Sequence, residues 1–236
     1  MKKLSSLTIF FPFLNDEQTV ATAINLAYSQ RKKITDDLEV IAINGGKSKD
    51  NTFLEIKKQK EKHSDLIIID KTKNNEGYAV IKYGLFEASK DWVFYTDGDL
   101  QYDVKELIKL VDKQNKTGAD IINGYKKNRK DSLLRKILGF FYQKISQYLF
   151  RLPIRDLDCD FRLIKKSYLK KIKLKSRDSS VLLELIRKLE KIGAKFSEVE
   201  VSHYPRLYGQ SNYKAFDLLK EKIFGDYKVY KSINKT

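Results

Sequence analysis

Along most of its first half this chain alternates between short apolar runs and helical patterns, and that alternation limits the folds open to it. Leu7 to Phe13 is a continuous apolar, β-prone run. Glu17 to Tyr28 then places Val20, Ala23, Ile24 and Ala27 on one helical face. The exchange repeats, with strands predicted over Leu38 to Ile43, Leu66 to Ile69, Trp92 to Thr96 and Asp120 to Asn123. Helices are predicted over Thr52 to His63, Ala79 to Ser89 and Val104 to Asn115. Such an order predicts an α/β fold with a mostly parallel, Rossmann-like sheet covered by helices. Ligands of these sheets bind beyond the carboxyl ends of the strands. Chemistry is therefore expected in three polar loops: Asn15 to Glu17, Asn44 to Thr52, and Asp97 to Asp103.

The second half reads differently. Leu133 to Phe150 is a long helical pattern in which Leu134, Ile137, Leu138, Phe141, Ile145, Tyr148 and Leu149 share a stripe flanked by Arg135, Lys136, Lys144 and Arg151. A wide apolar stripe with flanking cations suits a helix lying on anionic lipid, although a stripe at this spacing is more often a helix packed into a core. Ser180 to Ile192 is amphipathic, Phe196 to His203 alternates like a strand, and Lys214 to Tyr230 reads as helical. No repeat and no Pro/Gly linker divides the chain. The simplest organisation is one catalytic domain over 1–212 with a basic helical extension over 213–236.

Charge and cysteine content narrow the class. The net charge of +16 favours polyanionic partners: nucleic acid, an anionic membrane face or phosphorylated substrates. A nucleic-acid-binding protein is the weaker reading, because no recognisable motif or repeating basic–aromatic spacing accompanies the charge. The lone Cys159 excludes an internal disulfide and fits a reducing, cytoplasmic setting. The apolar run at Leu7 to Leu14 ends in Asn15-Asp16-Glu17 without a small-residue cleavage site, so it is expected to be a strand and not a secretory signal. No uncharged apolar run approaches the ~20 residues of a spanning helix. His63 and His203 lack zinc spacing, and His203 is a candidate for the border of an acceptor site or for a structural role.

The strongest local signal is Tyr95-Thr96-Asp97-Gly98-Asp99-Leu100-Gln101. Two carboxylates two residues apart leave a strand end on the same side, and the small residue between them lets the chain approach a ligand closely. Such a pair can hold Mg2+ or Mn2+ with positions left open for substrate phosphates. A solvated Asp-Gly turn is the plain alternative; the position immediately after an apolar strand favours the site.

Here the chain resembles family two of the glycosyltransferases, in its dolichyl-phosphate mannosyltransferase-like, polyprenyl-phosphate branch. The resemblance runs in the family's order through Pro12-Phe13-Leu14-Asn15-Asp16-Glu17, Asn44 to Thr52, and Asn75-Glu76-Gly77-Tyr78-Ala79 followed by Gly84. It continues through Thr96 to Gln101, Asp156 to Leu163, and His203 to Ser211, nearly the whole chain. It implies a GT-A fold and an inverting transfer from a UDP- or GDP-hexose. It places Asp97, Asp99 and Gln101 at the metal and diphosphate, and Pro12, Asn15, Glu17, Asn44, Gly45 and Gly77 about the nucleotide. The sequence departs from the family where two acids usually stand: Asn44 and Gly45 replace them and Lys47 is inserted. An asparagine hydrogen-bonds a base edge without the charge, which leaves the base open. Lys126 stands where the family often has arginine and offers a point charge in place of a fork.

Acceptor chemistry follows from charge. A polyprenyl (dolichyl or undecaprenyl) phosphate is already ionised, so it needs cations rather than a strong base; Lys126, Arg135 and Arg206 are the candidates, with Ser211 beside them. A glycan hydroxyl acceptor needs a carboxylate to take its proton, and Asp158 and Asp160 are then the candidates. Together these readings lead to the expectation of an inverting, metal-dependent hexosyltransferase with Asp99, Asp160 and Arg135 as catalytic residues. It uses a nucleotide-sugar donor and a polyprenyl phosphate, and it touches the inner face of an anionic membrane peripherally without binding nucleic acid. A catalytically silent nucleotide-sugar-binding homologue is the other alternative.

Overall fold

The computed structural model describes residues 2–73, 77–127, 144, 146–208 and 215–234. Its strands are β1 (Leu7–Phe13), β2 (Leu38–Asn44), β3 (Ile67–Asp70), β4 (Trp92–Thr96), β5 (Ile121–Lys127), β6 (Phe161–Lys165) and β7 (Phe196–Ser202). The helices are α1 (Val20–Ser29), α2 (Thr52–Lys62), α3 (Ile81–Glu87), α4 (Leu107–Thr117), the short α5 (Lys166–Leu169), α6 (Val181–Lys191) and α7 (Ala215–Asn234). Two 3-10 turns, Gly77–Val80 and Val104–Glu106, lead into α3 and α4.

The seven strands form one sheet in the order β3-β2-β1-β4-β6-β5-β7. β6 runs antiparallel to both of its neighbours and the other pairings are parallel. The predicted parallel α/β sheet is therefore present, with one reversed strand that the sequence reading treated only as part of a motif. Alternation along each strand feeds two cores. Ile9, Phe11 and Phe13 of β1, with Trp92 and Phe94 of β4, pack with α1, α2 and α4. Phe10, Val93 and Tyr95 point the other way, into a core shared with α3 and α6. The sheet is buried on both faces, and this is why its inner strands read as unbroken apolar runs.

Helix α1 starts later than the predicted Glu17, because the amides of Thr19 and Val20 first fold back onto the Asp16 carbonyl. The C-terminal helix reaches Asn234, beyond the expected end. The predicted helix over Leu133 to Phe150 lies outside the described residues except for 144 and 146–150; residues 146–150 are helical. Among the described residues no helix is long and apolar enough to cross a membrane.

Candidate functional site

Because β1, β2 and β4 are parallel neighbours, the loops that leave them meet at one edge of the sheet. The Gly45 amide donates to the Phe13 carbonyl at 2.9 Å, which carries the β1–β2 approach into the loop. The 97–99 segment is pressed against the same place. A Cβ on Gly98 would lie 2.2 Å from Cδ1 of Phe13, so no side chain fits there. The small residue between the two acids thus clears an aromatic ring of β1, a constraint set by packing before any ligand arrives. Leu100 follows with a left-handed backbone, φ 60, and the Gln101 amide donates to Asp99 Oδ1 at 3.0 Å. A left-handed non-glycine residue costs roughly 1–2 kcal/mol, so the turn after the acid pair is held under strain.

A pocket opens between these loops. Pro12, Phe13, Leu14, Tyr78, Val80 and Ile81 line it together with Gly45 and Gly77, and Asp16, Asp97, Gly98, Asp99 and Arg206 complete it. Apolar and glycine surfaces of this kind accept a flat base and ribose, whereas the acids call for a cation. Arg206, from the segment after β7, donates through Nη2 to Asp99 Oδ2 at 2.6 Å, and its Nη1 lies 4.0 Å from Asp16 Oδ1. Asp16 also accepts the Leu14 amide at 2.8 Å.

Among the described residues, the acids outweigh this guanidinium. Burial holds the Asp97 carboxyl well above the usual range, and the charges of Asp160, Asp99 and Asp16 add to the rise. Burial likewise pushes Asp16 up to about 6, against the Leu14 hydrogen bond that favours its charged form. A divalent cation would relieve this crowding, and Arg206 is its monovalent stand-in on Asp99. Among the described residues no three His, Cys, Asp or Glu side chains form an ion cage by themselves. The donor set therefore fits a magnesium-like ion held by one or two carboxylates and completed by substrate phosphates.

A second acid-rich segment lies next to the first. The turn at 156–160 leads into β6, and its backbone is held carbonyl by carbonyl. Asn123 Nδ2 donates to the Asp156 carbonyl at 3.0 Å, Arg162 Nη2 to the Leu157 carbonyl at 3.2 Å, and Lys126 Nζ to the Asp158 carbonyl at 2.7 Å. Arg162 is fully buried and also donates to Asn123 Oδ1 and the Tyr95 hydroxyl. The turn brings Asp160 near enough for its charge to raise Asp97. Burial pushes the Asp160 carboxyl up to about 6, against the nearby charges of Arg162, Lys126 and Lys222.

The sequence-derived site residues fall into groups. Pro12, Gly45, Gly77, Asp97, Asp99 and Arg206 come together in the pocket. Asn15, Glu17 and Asn44 are not among its lining residues. Asn15 Oδ1 accepts the Lys49 amide, Glu17 accepts from the Asn51 amide and side chain, and Asn44 Nδ2 donates to Asp70 and Thr72. The first two brace the loops after β1 and β2 against each other. Gln101 donates through Nε2 to the Tyr204 carbonyl at 3.2 Å and receives the Tyr204 amide on its own carbonyl at 2.8 Å, tying the 203–208 segment to the acid pair. Arg135 and Ser211 lie outside the described residues. Asp16, Tyr78, Val80 and Ile81 were not singled out from the sequence. Asp16 sat in view between Asn15 and Glu17, but its meeting with Arg206 spans most of the chain. His63 stacks on Tyr28 at 4.0 Å, far from this chemistry, while His203 sits edge-on to Tyr102 at 5.2 Å.

A doubly covered sheet with one reversed strand, and an acid pair at the end of β4, define the GT-A class of fold. Solved structures bear this out. The chain is similar to glucosyl-3-phosphoglycerate synthase from Mycobacterium tuberculosis in complex with Mn2+, UDP-glucose and phosphoglyceric acid. That match has a TM-score of 0.68 and 13% identity, and covers 96% of this chain and 80% of that one. The same synthase with Mg2+ and UDP matches at a TM-score of 0.63 and 14% identity, over 96% and 80% of the two chains. The model of glycosyl transferase family 2 matches residues 8–173, and the chain belongs to that family. Among curated proteins it is similar to undecaprenyl-phosphate 4-deoxy-4-formamido-L-arabinose transferases from Salmonella choleraesuis and Salmonella paratyphi B. Each is 23% identical over 216 residues, or 92% of this chain. The chain spans 65% of the length of these relatives.

Proposed function

We propose that this protein is an inverting glycosyltransferase that moves a hexose from a UDP- or GDP-sugar to a polyprenyl phosphate, with Mg2+ or Mn2+ bound at Asp97 and Asp99. The observation that carries the reading is the crowding of Asp16, Asp97 and Asp99 around one guanidinium at the mouth of an apolar, glycine-lined pocket. The similarity to undecaprenyl-phosphate sugar transferases supports the acceptor class. When bound, the cation neutralises the donor diphosphate and stabilises it as it leaves. Pro12, Gly45, Gly77 and Tyr78 form the nucleoside slot. Asp99 is the principal metal-side carboxylate, with Asp97 beside it and Gln101 positioning the segment that carries Arg206. Arg206, once moved off Asp99, is suited to the phosphates, with Lys126, Arg135 and Ser211 completing the acceptor side. The acceptor phosphate is its own nucleophile and needs no strong base; in this reading Asp160 acts through its charge on Asp97, helping to set the field at the cation site.

The second reading is transfer to a glycan hydroxyl. Asp160 favours it: a buried carboxyl raised to about 6 is suited to taking a proton near neutral pH.

Working at a lipid acceptor requires contact with a membrane, which we place peripherally on the inner, cytoplasmic face. Ile223, Phe224 and Tyr227 of α7 are exposed on a basic helix and suit that surface. The division into a catalytic domain over 1–212 and a helical extension over 213–236 belongs to the same proposal.

Calorimetric titration of UDP, GDP and their sugars, with and without Mn2+, tests the reading. We expect manganese-dependent binding of one nucleotide. Asp99→Asn should abolish the manganese dependence and lower turnover about 100-fold or more, while leaving the fold intact. Full metal-dependent activity in that variant would remove Asp99 from the metal site. Turnover with a soluble glycan, but none with undecaprenyl phosphate, would select the hydroxyl reading.

A further inference from the structure

We propose that Lys222, on the C-terminal helix α7, is a positioning residue for the transfer step: through Asp158 it holds the 156–160 turn so that Asp160 faces Asp97. The inference rests on the transferase reading above and extends the site to the last helix of the chain.

Lys222 is only 7% exposed, although it belongs to a helix rich in lysines. Its ammonium is ion-paired with the Asp158 carboxylate. Burying an ammonium costs several kcal/mol before its partner repays any of it, so a helix that needed only a clip to the body would gain more from an apolar side chain. Apolar clips already exist. Tyr230 packs on Phe150 at 5.2 Å, and Val229 and Tyr230 lie against the core that includes α6. Gly225 lets α7 pass Ser180, where a Cβ would come within 3.2 Å of Ser180 Cβ. The fold of α7 against α6 thus has its own support, and the buried lysine is directed at something else.

That target is the turn before β6. The Asp158 carbonyl is already taken by Lys126 at 2.7 Å, and the flanking carbonyls are held by Asn123 and Arg162. These bonds all fix the backbone from the β5 and β6 side. Lys222 holds the Asp158 side chain itself and is the constraint supplied by the C-terminal helix. Two residues farther on, Asp160 is buried, and among the described residues its Oδ1 has no hydrogen-bond partner. An unbonded buried carboxylate oxygen keeps its direction only if the backbone around it is pinned. Lys222, Lys126 and Arg162 also present three positive charges to Asp160 from three separate elements. Removing Lys222 therefore loosens the turn and takes away one of these charges, while the donor pocket at Gly45, Gly77 and Asp99 is untouched.

The test uses the full chain and compares wild type, Lys222→Met, Lys222→Arg and Asp158→Asn. Two readouts are taken: steady-state transfer to undecaprenyl phosphate, and amide hydrogen exchange across 156–160. Lys222→Met is expected to lower kcat about tenfold or more while the manganese-dependent Kd for the donor nucleotide stays within about twofold. Exchange at 156–160 should accelerate about tenfold, and Lys222→Arg should restore both. Asp158→Asn should reproduce the Lys222→Met effect even if Lys222→Met fails to fold. Unchanged kcat and unchanged exchange in a folded Lys222→Met would overturn the proposal. A parallel fall in donor binding and global stability would also overturn it, since that marks a purely structural pair. If wild type shows no transfer to any acceptor, the transferase reading fails, and the exchange data alone still decide whether Lys222 pins the turn.

Discussion

The two acid-rich segments, 97–99 and 156–160, look alike in composition and are built on opposite principles. The first ends β4 with its charges crowded, answered among the described residues by one guanidinium from a remote segment. The second is nearly complete in itself, with a buried arginine, two lysines and an asparagine fixing its carbonyls and one of its carboxylates. A cluster of acids thus points to a cation site where, among the described residues, its charge is crowded and little answered, and to a structural turn where neighbouring cations hold it.

The comparison can be broken most severely at the completed segment. Arg162→Met strips partners from Asn123, Tyr95 and Leu157 at once in a fully buried place. It is expected to destabilise the protein by about 3–5 kcal/mol in denaturant unfolding. Wild-type stability in that variant would mean the turn does not depend on its buried charge.

The crowded segment should respond in the other direction. The folded-state value of Asp16, about 6, lies above its ordinary 3.8, so the native protein holds that proton more tightly than the unfolded chain does. Its contribution is most favourable below about pH 4 and is lost as pH rises through 6. Asp16→Asn should therefore stabilise the metal-free protein at pH 7 by roughly 1–2 kcal/mol, with the gain vanishing near pH 4. Thermal melts at the two pH values check this, and an equal effect at both would show that Asp16 carries no such cost.

Arg206 gives the smallest expected change. Its side chain is 26% exposed, and glutamine keeps a hydrogen-bond donor for the buried Asp99, so Arg206→Gln should alter stability by about 1 kcal/mol. The informative quantity is Mn2+ affinity without nucleotide, which should rise severalfold once the competing guanidinium is gone. Weaker metal binding would make Arg206 a support for the site and not a placeholder.

Legibility in the sequence followed the range of the forces involved. β1 and β4 could be read directly because strands buried on both faces are continuous apolar runs, and the acid pair could be read because it directly follows one. β6 was read only as a motif, since Asp160 and Arg162 break its apolar pattern and only the tertiary structure shows that Arg162 is buried. Asp16 looked like one polar loop residue among several until Arg206 was brought to it. Lys222 resembles the other lysines of its helix, and nothing local marks it as turned inward. Asn15 and Glu17 were found by resemblance, but the partners that occupy them, Lys49 and Asn51, were not deducible from spacing.

The contact between Phe13 and Gly98 has a consequence for how this sequence can change. Residue 98 has no side chain because the Phe13 ring already fills that volume. The two positions are 85 apart in the chain and occupy one space. A larger residue at 98 is acceptable only alongside a smaller one at 13, so neither single step is neutral although the combined step can be. In a library randomised at both positions, survivors should be enriched for compensating pairs, and each site's tolerance measured alone would understate what the pair permits.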